Sequence, residues 1–328
     1  MNNNKSGCIF ICVCFYFLKS YALTNRRLVL LHMSVFSQTF SPCGRFLAAG
    51  NNYGEIAVFS LSAALSPDAT GMSQKPILTF AAHEGPVFSL ISTDTHLLSA
   101  GNGEISAWSW AELTKRVSNE IVNQLSDNSL IVGGGDNNIH IMDMETGTFK
   151  SVLQGHKDYI HCLSFREREG ELLSGGEDGA VRIWDARTGQ TVHCIEVFKY
   201  EECTRPQFGK WIGCLTTDSD WMLCGGGPAL SLWHLRSMSP TSVFSLAGCQ
   251  REAVFYQDLI LTVGEGPYVS HCVPGGTVKA QIPSSSPSLN TLTLNLNSNE
   301  HRVMTTAGSS DQIDVFTNFS YRAFSLSF

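Results

Sequence analysis

One unit recurs seven times along this chain: a short apolar run, a turn rich in glycine, asparagine or aspartate, and a second run that alternates. The copies are RFLAAGNNYGEIAVFSL, HLLSAGNGEISAWSW, SLIVGGGDNNIHIMDM, ELLSGGEDGAVRIWD, WMLCGGGPALSLWHL, LILTVGEGPYVSHCV and RVMTTAGSSDQIDVF. Alternation around a glycine turn is a β-hairpin pattern, since successive strand side chains point to opposite faces and tight turns need backbone angles that glycine adopts freely. The last large side chain of each second run serves as a ruler. Phe59, Trp108, Met142, Trp184, Trp233, Cys272 and Phe316 are separated by 49, 34, 42, 49, 39 and 44 residues, averaging about 43. A weaker run precedes most hairpins (VFSQTF, PVFSLIS, YIHCLSF, WIGCLTT, AVFYQ, LNTLTLN), and another follows several (PILTF, TFKSVLQ).

Four short strands per unit, repeated at this period, predict an all-β chain folded as a seven-bladed WD40 β-propeller. The third unit is irregular. Only 34 residues separate Trp108 from Met142, and KRVSNEIVNQLSDNSL has room for a weak inner strand at most. Either the third blade is short of residues and truncated, or the chain carries a deletion there. The ending YRAFSLSF alternates Phe324, Leu326 and Phe328, which predicts the outermost strand of the last blade. RRLVLL, Arg26 to Leu31, competes for that place, and the C-terminal run is preferred. Ser60 to Pro76 reads as a flexible outer loop.

Hydrophobic residues make up 43% of the chain and charged residues 16%, too apolar for a disordered polypeptide. The net charge of −7 lacks the basic balance of a self-sufficient nucleic-acid binder. Eleven cysteines occur without a CxxC pair, which reads as reduced, buried thiols of a cytosolic or nuclear protein. GCIFICVCFYFL, Gly7 to Leu18, follows Lys5 like the apolar core of a signal peptide and is short for a spanning helix. Nothing else in the chain reads as secreted.

The fourth unit assembles Gly155-His156 before its inner strand, Ser174 in the second strand, Asp178 in the turn and Trp184 in the third. Such a set can form a buried network that braces a blade: a tryptophan N–H needs an acceptor, a serine hydroxyl accepts and donates, and histidine links it to a turn carboxylate. The rival reading is a Ser-His-Asp triad. Against it, no G-x-S-x-G elbow surrounds Ser174, and a degraded copy recurs in the second unit as His83, Ser99 and Trp108, with Asn102 standing near the turn in place of the aspartate. Catalytic groups do not usually recur at a blade period. The reading is therefore a structural tetrad of His156, Ser174, Asp178 and Trp184. No catalytic residue, metal ligand set, cofactor site or small-molecule substrate site is expected, since no P-loop, nucleophile elbow or metal cluster occurs.

Beyond the blade grammar, MSVFSQTFSPCGRFLAAGNNYGEIAVFSLSAAL, GHKDYIHCL, LLSGGEDGAVRIWDARTG, YEECTRP, WIGCLTTDSDWMLCGGGPALSLWHLRS and VFTNFSYRAFSLSF closely resemble the family of sixth subunits of the THO complex. The resemblance runs from about Leu31 to the C-terminus. It divides the chain into an atypical segment, 1–30, and a single propeller domain, 31–328. It also favours a misread gene structure over a genuine signal peptide for the first segment. What the resemblance implies is a nuclear location including nuclear speckles, other THO subunits as protein partners, mRNA met indirectly through the complex, no membrane, and a non-catalytic part in mRNA processing and export within the transcription–export assembly.

Propellers work through loops on a rigid scaffold. The connection EVFKYEECTRPQFGKW, Glu196 to Trp211, supplies Lys199, Tyr200, Glu201, Glu202, Arg205, Phe208, Lys210 and Trp211 as candidate partner-binding residues. Mixed charge with aromatics and arginine suits a protein interface. Arg182, alternating with its strand neighbours, reads as a solvated strand charge. A second functional reading takes WDAR, Trp184 to Arg187, as the W-D-x-R run of substrate adaptors for cullin-type ubiquitin ligases.

Overall fold

The computed structural model describes residues 8–12, 32–114 and 129–328. They form seven sheets, six of four strands and one of three, in the arrangement of a seven-bladed β-propeller. By contact they fall into two compact units.

In the unit built from 8–12, 129–262 and 270–281, three sheets are simple antiparallel meanders. They are β12 (Ile160–Arg166) to β15 (Thr191–Glu196) through β13 (Glu171–Gly176) and β14 (Ala180–Asp185), then β16 (Ile212–Asp218) to β19 (Ser239–Val243) through β17 (Trp221–Gly226) and β18 (Ser231–His234), then β20 (Gln250–Tyr256) to β23 (Val278–Pro283) through β21 (Leu259–Gly264) and β22 (Tyr268–Cys272). Neighbouring sheets share cores. Ile131, Ile139, Leu153, Leu172 and Trp184 join one pair, Leu173, Ile183, Ile212, Met222 and Trp233 the next, and Leu223, Leu232, Phe244, Ile260 and Cys272 the last. Alternation explains this: successive residues of one strand, such as Leu172 and Leu173, serve opposite faces.

The fourth sheet of this unit departs from the meander. Its order is β1 (Cys8–Cys12), β9 (Ser129–Gly133), β10 (Asn138–Asp143), β11 (Phe149–Gln154). β1 runs parallel to β9, with Cys8 opposite Ser129 and Cys12 opposite Gly133. A parallel neighbour cannot be reached by a tight hairpin and must come from a remote segment. The sequence reading set 1–30 apart from the propeller, yet Cys8–Cys12 fills the innermost place of the third blade. Residues 1–7 and 13–31, RRLVLL included, and the weak inner strand sought in 115–128 lie outside the described residues.

In the unit built from 32–114, 263–269 and 282–328, β2 (Val35–Phe40), β3 (Phe46–Asn51), β4 (Glu55–Ser60) and β5 (Leu78–Ala81) form one sheet. β6 (Ser89–Ser92), β7 (His96–Ala100) and β8 (Ile105–Ser109) form the three-stranded one. The last sheet is β24 (Leu289–Leu294), β25 (Met304–Gly308), β26 (Gln312–Phe316) and β27 (Phe324–Ser327). β27 takes the outermost place, so this sheet is completed by the C-terminal run, with Leu326 fully buried against Phe59, Ile313 and Val315. Asp314, 1% exposed, ties the strand down. Its carboxylate accepts from the hydroxyls of Ser284, Ser285 and Ser325, and from the Ser285 backbone N–H. The Ser60–Pro76 connection is not loop throughout. A one-turn helix, Leu61–Ala64, is capped by the Ser60 hydroxyl and buries Leu61 and Ala64. All seven ruler residues sit in third strands, Phe59 in β4, Trp108 in β8, Met142 in β10, Trp184 in β14, Trp233 in β18, Cys272 in β22 and Phe316 in β26.

Candidate functional site

The fourth-unit residues form one continuous chain of hydrogen bonds. β14 carries Trp184, whose Nε1–H donates to Ser174 Oγ on β13 at 2.8 Å. His156 Nε2 lies 2.7 Å from the same oxygen, and His156 Nδ1 lies 3.0 Å from Asp178 Oδ2. Asp178 also accepts from the backbone N–H groups of Lys157 and Ala180, joining the loop before β12 to the turn after β13. One proton assignment uses every atom: Ser174 accepts from tryptophan and donates to Nε2, leaving Nδ1–H for the carboxylate. Burial opposes the charge on Asp178, but the hydrogen bond from His156, the Lys157 amide and the other donors outweigh it and hold the carboxyl at about 2, below the ordinary 3.8. Gly176 is required beside the imidazole, since a Cβ there would lie 2.4 Å from Tyr159 O.

This proton order matches that of a hydrolase triad, and access separates the two. Ser174 and the His156 side chain are 0% exposed, and the serine oxygen already accepts from Trp184. No carbonyl substrate can approach such an oxygen.

The second-unit copy is complete as well, with a different fourth member. His83 Nε2 lies 2.8 Å from Ser99 Oγ, which accepts from Trp108 Nε1 at 2.9 Å. His83 Nδ1 meets Glu104 Oε1 at 2.7 Å. Asn102 does not take the aspartate's place; its side chain lies against Gly85. The turn here is one residue shorter than its fourth-unit counterpart, and glutamate's extra methylene reaches the ring from two positions beyond Asn102. In the fifth unit the position of Ser174 is held by Cys224, and Trp233 Nε1 donates instead to Ser231 Oγ at 2.8 Å.

The Glu196–Trp211 connection is shaped from within. Arg205 donates to five carbonyl oxygens, those of Gly226, Gly227, Pro228, Leu246 and Gly248, at 2.9 to 3.3 Å. Its guanidinium also lies 4.7 Å from the Phe208 ring centre. Tyr200 meets Trp233 edge to face at 4.8 Å, and Trp211 Nε1 donates to Phe208 O at 3.0 Å. These four side chains are half-buried, whereas Lys199, Glu201, Glu202 and Lys210 are exposed. Lys199 pairs with Glu196, and Lys210 lies 5.7 Å from the Phe198 ring centre. Nothing local in the sequence marks Arg205 as a staple, because its five acceptors lie 21 to 43 residues away. Arg182 is half-buried rather than solvated; its Nε has no partner among the described residues and it packs beside Gly155 with Trp184.

The eight cysteines from Cys43 to Cys272 are free thiols, five of them buried. Among the described residues no group of acidic, histidine and cysteine side chains is placed to hold a metal ion, and no helix is long and apolar enough to cross a membrane.

Comparison with known proteins agrees with the blade architecture. Residues 74–109 match the WD domain, G-beta repeat family, and residues 114–241 match the Nucleolar protein 10-like, N-terminal domain family. The chain is 77% identical to the THO complex subunit 6 homolog of Danio rerio, covering 91% of this chain and 98% of that protein. It is 57% identical to THO complex subunit 6 of Homo sapiens, covering 91% and 94%, and 25% identical to that of Arabidopsis thaliana, covering 87% and 90%. With identity this high over nearly the whole of both chains, the protein belongs to the THO complex subunit 6 family.

Proposed function

We propose that this chain is a non-catalytic scaffold subunit of a nuclear THO complex, supporting its assembly and the processing and export of mRNA. The near full-length identity to relatives named as THO subunits carries the reading. The inaccessible Ser174 favours a scaffold over a hydrolase. In this reading the tetrads of the second and fourth units stiffen blades, and contacts to other THO subunits run through the exposed Lys199, Glu201, Glu202 and Lys210, on a loop held in shape by Tyr200, Arg205, Phe208 and Trp211. RNA is met through the complex, in keeping with the −7 net charge.

Affinity purification of the tagged chain from nuclear extract, with identification of retained proteins by mass spectrometry, tests this. THO subunits should co-purify at near-stoichiometric yield. Retention of a cullin-type ligase without THO subunits would replace the scaffold reading with that of a substrate adaptor.

A further inference from the structure

β15 is an outermost strand, and beyond it lies a cavity of about 390 Å3 lined by His193, Cys194, Ile195, Glu196, Lys199, Tyr200 and Met238. Its floor is apolar: Ile195 is buried, and Tyr200 and Met238 pack on the same core as Trp233. We propose that this groove receives an extended, basic segment of a protein partner, which adds a strand to β15 and lays one apolar side chain in the cavity. The proposal rests on the scaffold reading above and gives it a site and a partner chemistry.

Three observations converge on this occupant. An unpaired strand edge presents free N–H and C=O groups, and proteins commonly guard such edges with lysine, proline or short strands. β11 carries Lys150, β19 Pro240, and β23 Lys279 and Pro283, while β5 and β27 span four residues each. β15 is six residues long, its first four residues are exposed, and TVHCIE contains neither lysine nor proline. Strand addition uses main-chain hydrogen bonds for affinity and a side-chain pocket for specificity, and here the pocket opens along the same edge. The charge beside the groove then fixes the sign of the partner. In the lining Glu196 and Lys199 pair with each other, and the two residues that follow Tyr200 in the chain, Glu201 and Glu202, add two exposed carboxylates. That excess favours lysine and arginine and repels phosphate backbones.

Cys194, exposed at the cavity wall, reports occupancy, with exposed Cys43 as an internal reference. The experiment measures the iodoacetamide alkylation rate of both thiols by mass spectrometry, on the full chain. The probe is the blocked peptide Lys-Thr-Lys-Leu-Lys-Thr-Lys, and its counterpart has glutamate at every lysine. The basic peptide should slow Cys194 at least threefold while Cys43 is unchanged, and the acidic one should have no effect. Protection should vanish in the double variant E201K/E202K, whose surface changes leave the core intact, and should weaken in Met238→Asp. Equal rates with and without the basic peptide, equal protection by both peptides, or protection that survives E201K/E202K overturns the proposal. In nuclear extract, E201K/E202K should lose a THO subunit that the wild-type chain retains. Full retention by the variant overturns the groove alone, whereas absence of THO subunits from the wild type overturns the scaffold reading.

Discussion

Removing the Ser174 hydroxyl tests the central geometric claim. In Ser174→Ala the methyl group fits the space, so packing changes little. Two buried groups lose their partner: the Trp184 N–H at 2.8 Å and His156 Nε2 at 2.7 Å. An unsatisfied buried polar group costs about 1–3 kcal/mol, so the variant should be destabilised by about 2–4 kcal/mol. Ser99→Ala makes the same deletion in a wetter place, where Glu104 is 56% exposed and Trp108 is half-buried. It should cost about 1 kcal/mol less, since water can reach the half-buried Trp108 indole while the His83 side chain stays enclosed. Urea unfolding followed by circular dichroism measures both, compared at unchanged m. A Trp184→Phe background removes the indole donor, and Ser174→Ala should then cost about 1 kcal/mol less than in the wild type. A loss under about 0.5 kcal/mol for Ser174→Ala, or no coupling to Trp184, would falsify the view that this network stiffens the blade.

Further outcomes follow from other sites. Asp178 stays ionised in the folded state down to about pH 2, whereas unfolded it protonates near 3.8; its contribution of about 2 kcal/mol is full above pH 4 and lost as pH falls toward 2. The stability gap between wild type and Asp178→Asn, measured by urea unfolding across this range, should close accordingly, and a gap that persists at pH 2 contradicts the assignment. Arg205→Ala frees five carbonyls and should cost about 3 kcal/mol, with Arg205→Lys recovering little because lysine lacks the planar fork; differential scanning fluorimetry ranks the three. Deleting 321–328 removes β27 and takes Ser325 and Arg322 from Asp314, so the melting temperature should fall by on the order of 10 °C, and an unchanged value rules out this closure. In thiol mapping, Cys43 and Cys194 should alkylate well before Cys203, Cys224 and Cys272, whose thiols burial pushes up to about 11, 12 and 11.

The seven-blade architecture was legible because it rests on a local signal. A hairpin writes its alternation and its turn glycine into fifteen adjacent residues, and each ruler residue falls in the strand that the pattern requires. What escaped depended on reach across space. Asn102 is nearest the expected slot in sequence, but a turn shortened by one residue hands the imidazole to Glu104. Arg205 looked like an interface arginine until its acceptors, far along the chain, turned it inward. The apolar run around Cys8 has the composition of a leader, and nothing near it names β9 as its neighbour. The loop aromatics Tyr200, Phe208 and Trp211 are half-buried because the Trp233 ring, the Arg205 guanidinium and the Phe208 carbonyl offer them partners, which composition alone does not express.

The parallel strand also sets a timetable. Cys8 must wait for Ser129, 121 residues later, before its first ladder bond can close. At ribosomal speeds of 5–20 residues per second that delay is roughly 6 to 24 s, far longer than the microseconds in which a hairpin zips. Every antiparallel meander in this chain can form as it emerges, but the third sheet cannot. It is the step at which assembly must wait for synthesis, with an apolar segment left uncovered in the interval, and hence the step that most exposes the nascent chain to chaperones or to aggregation.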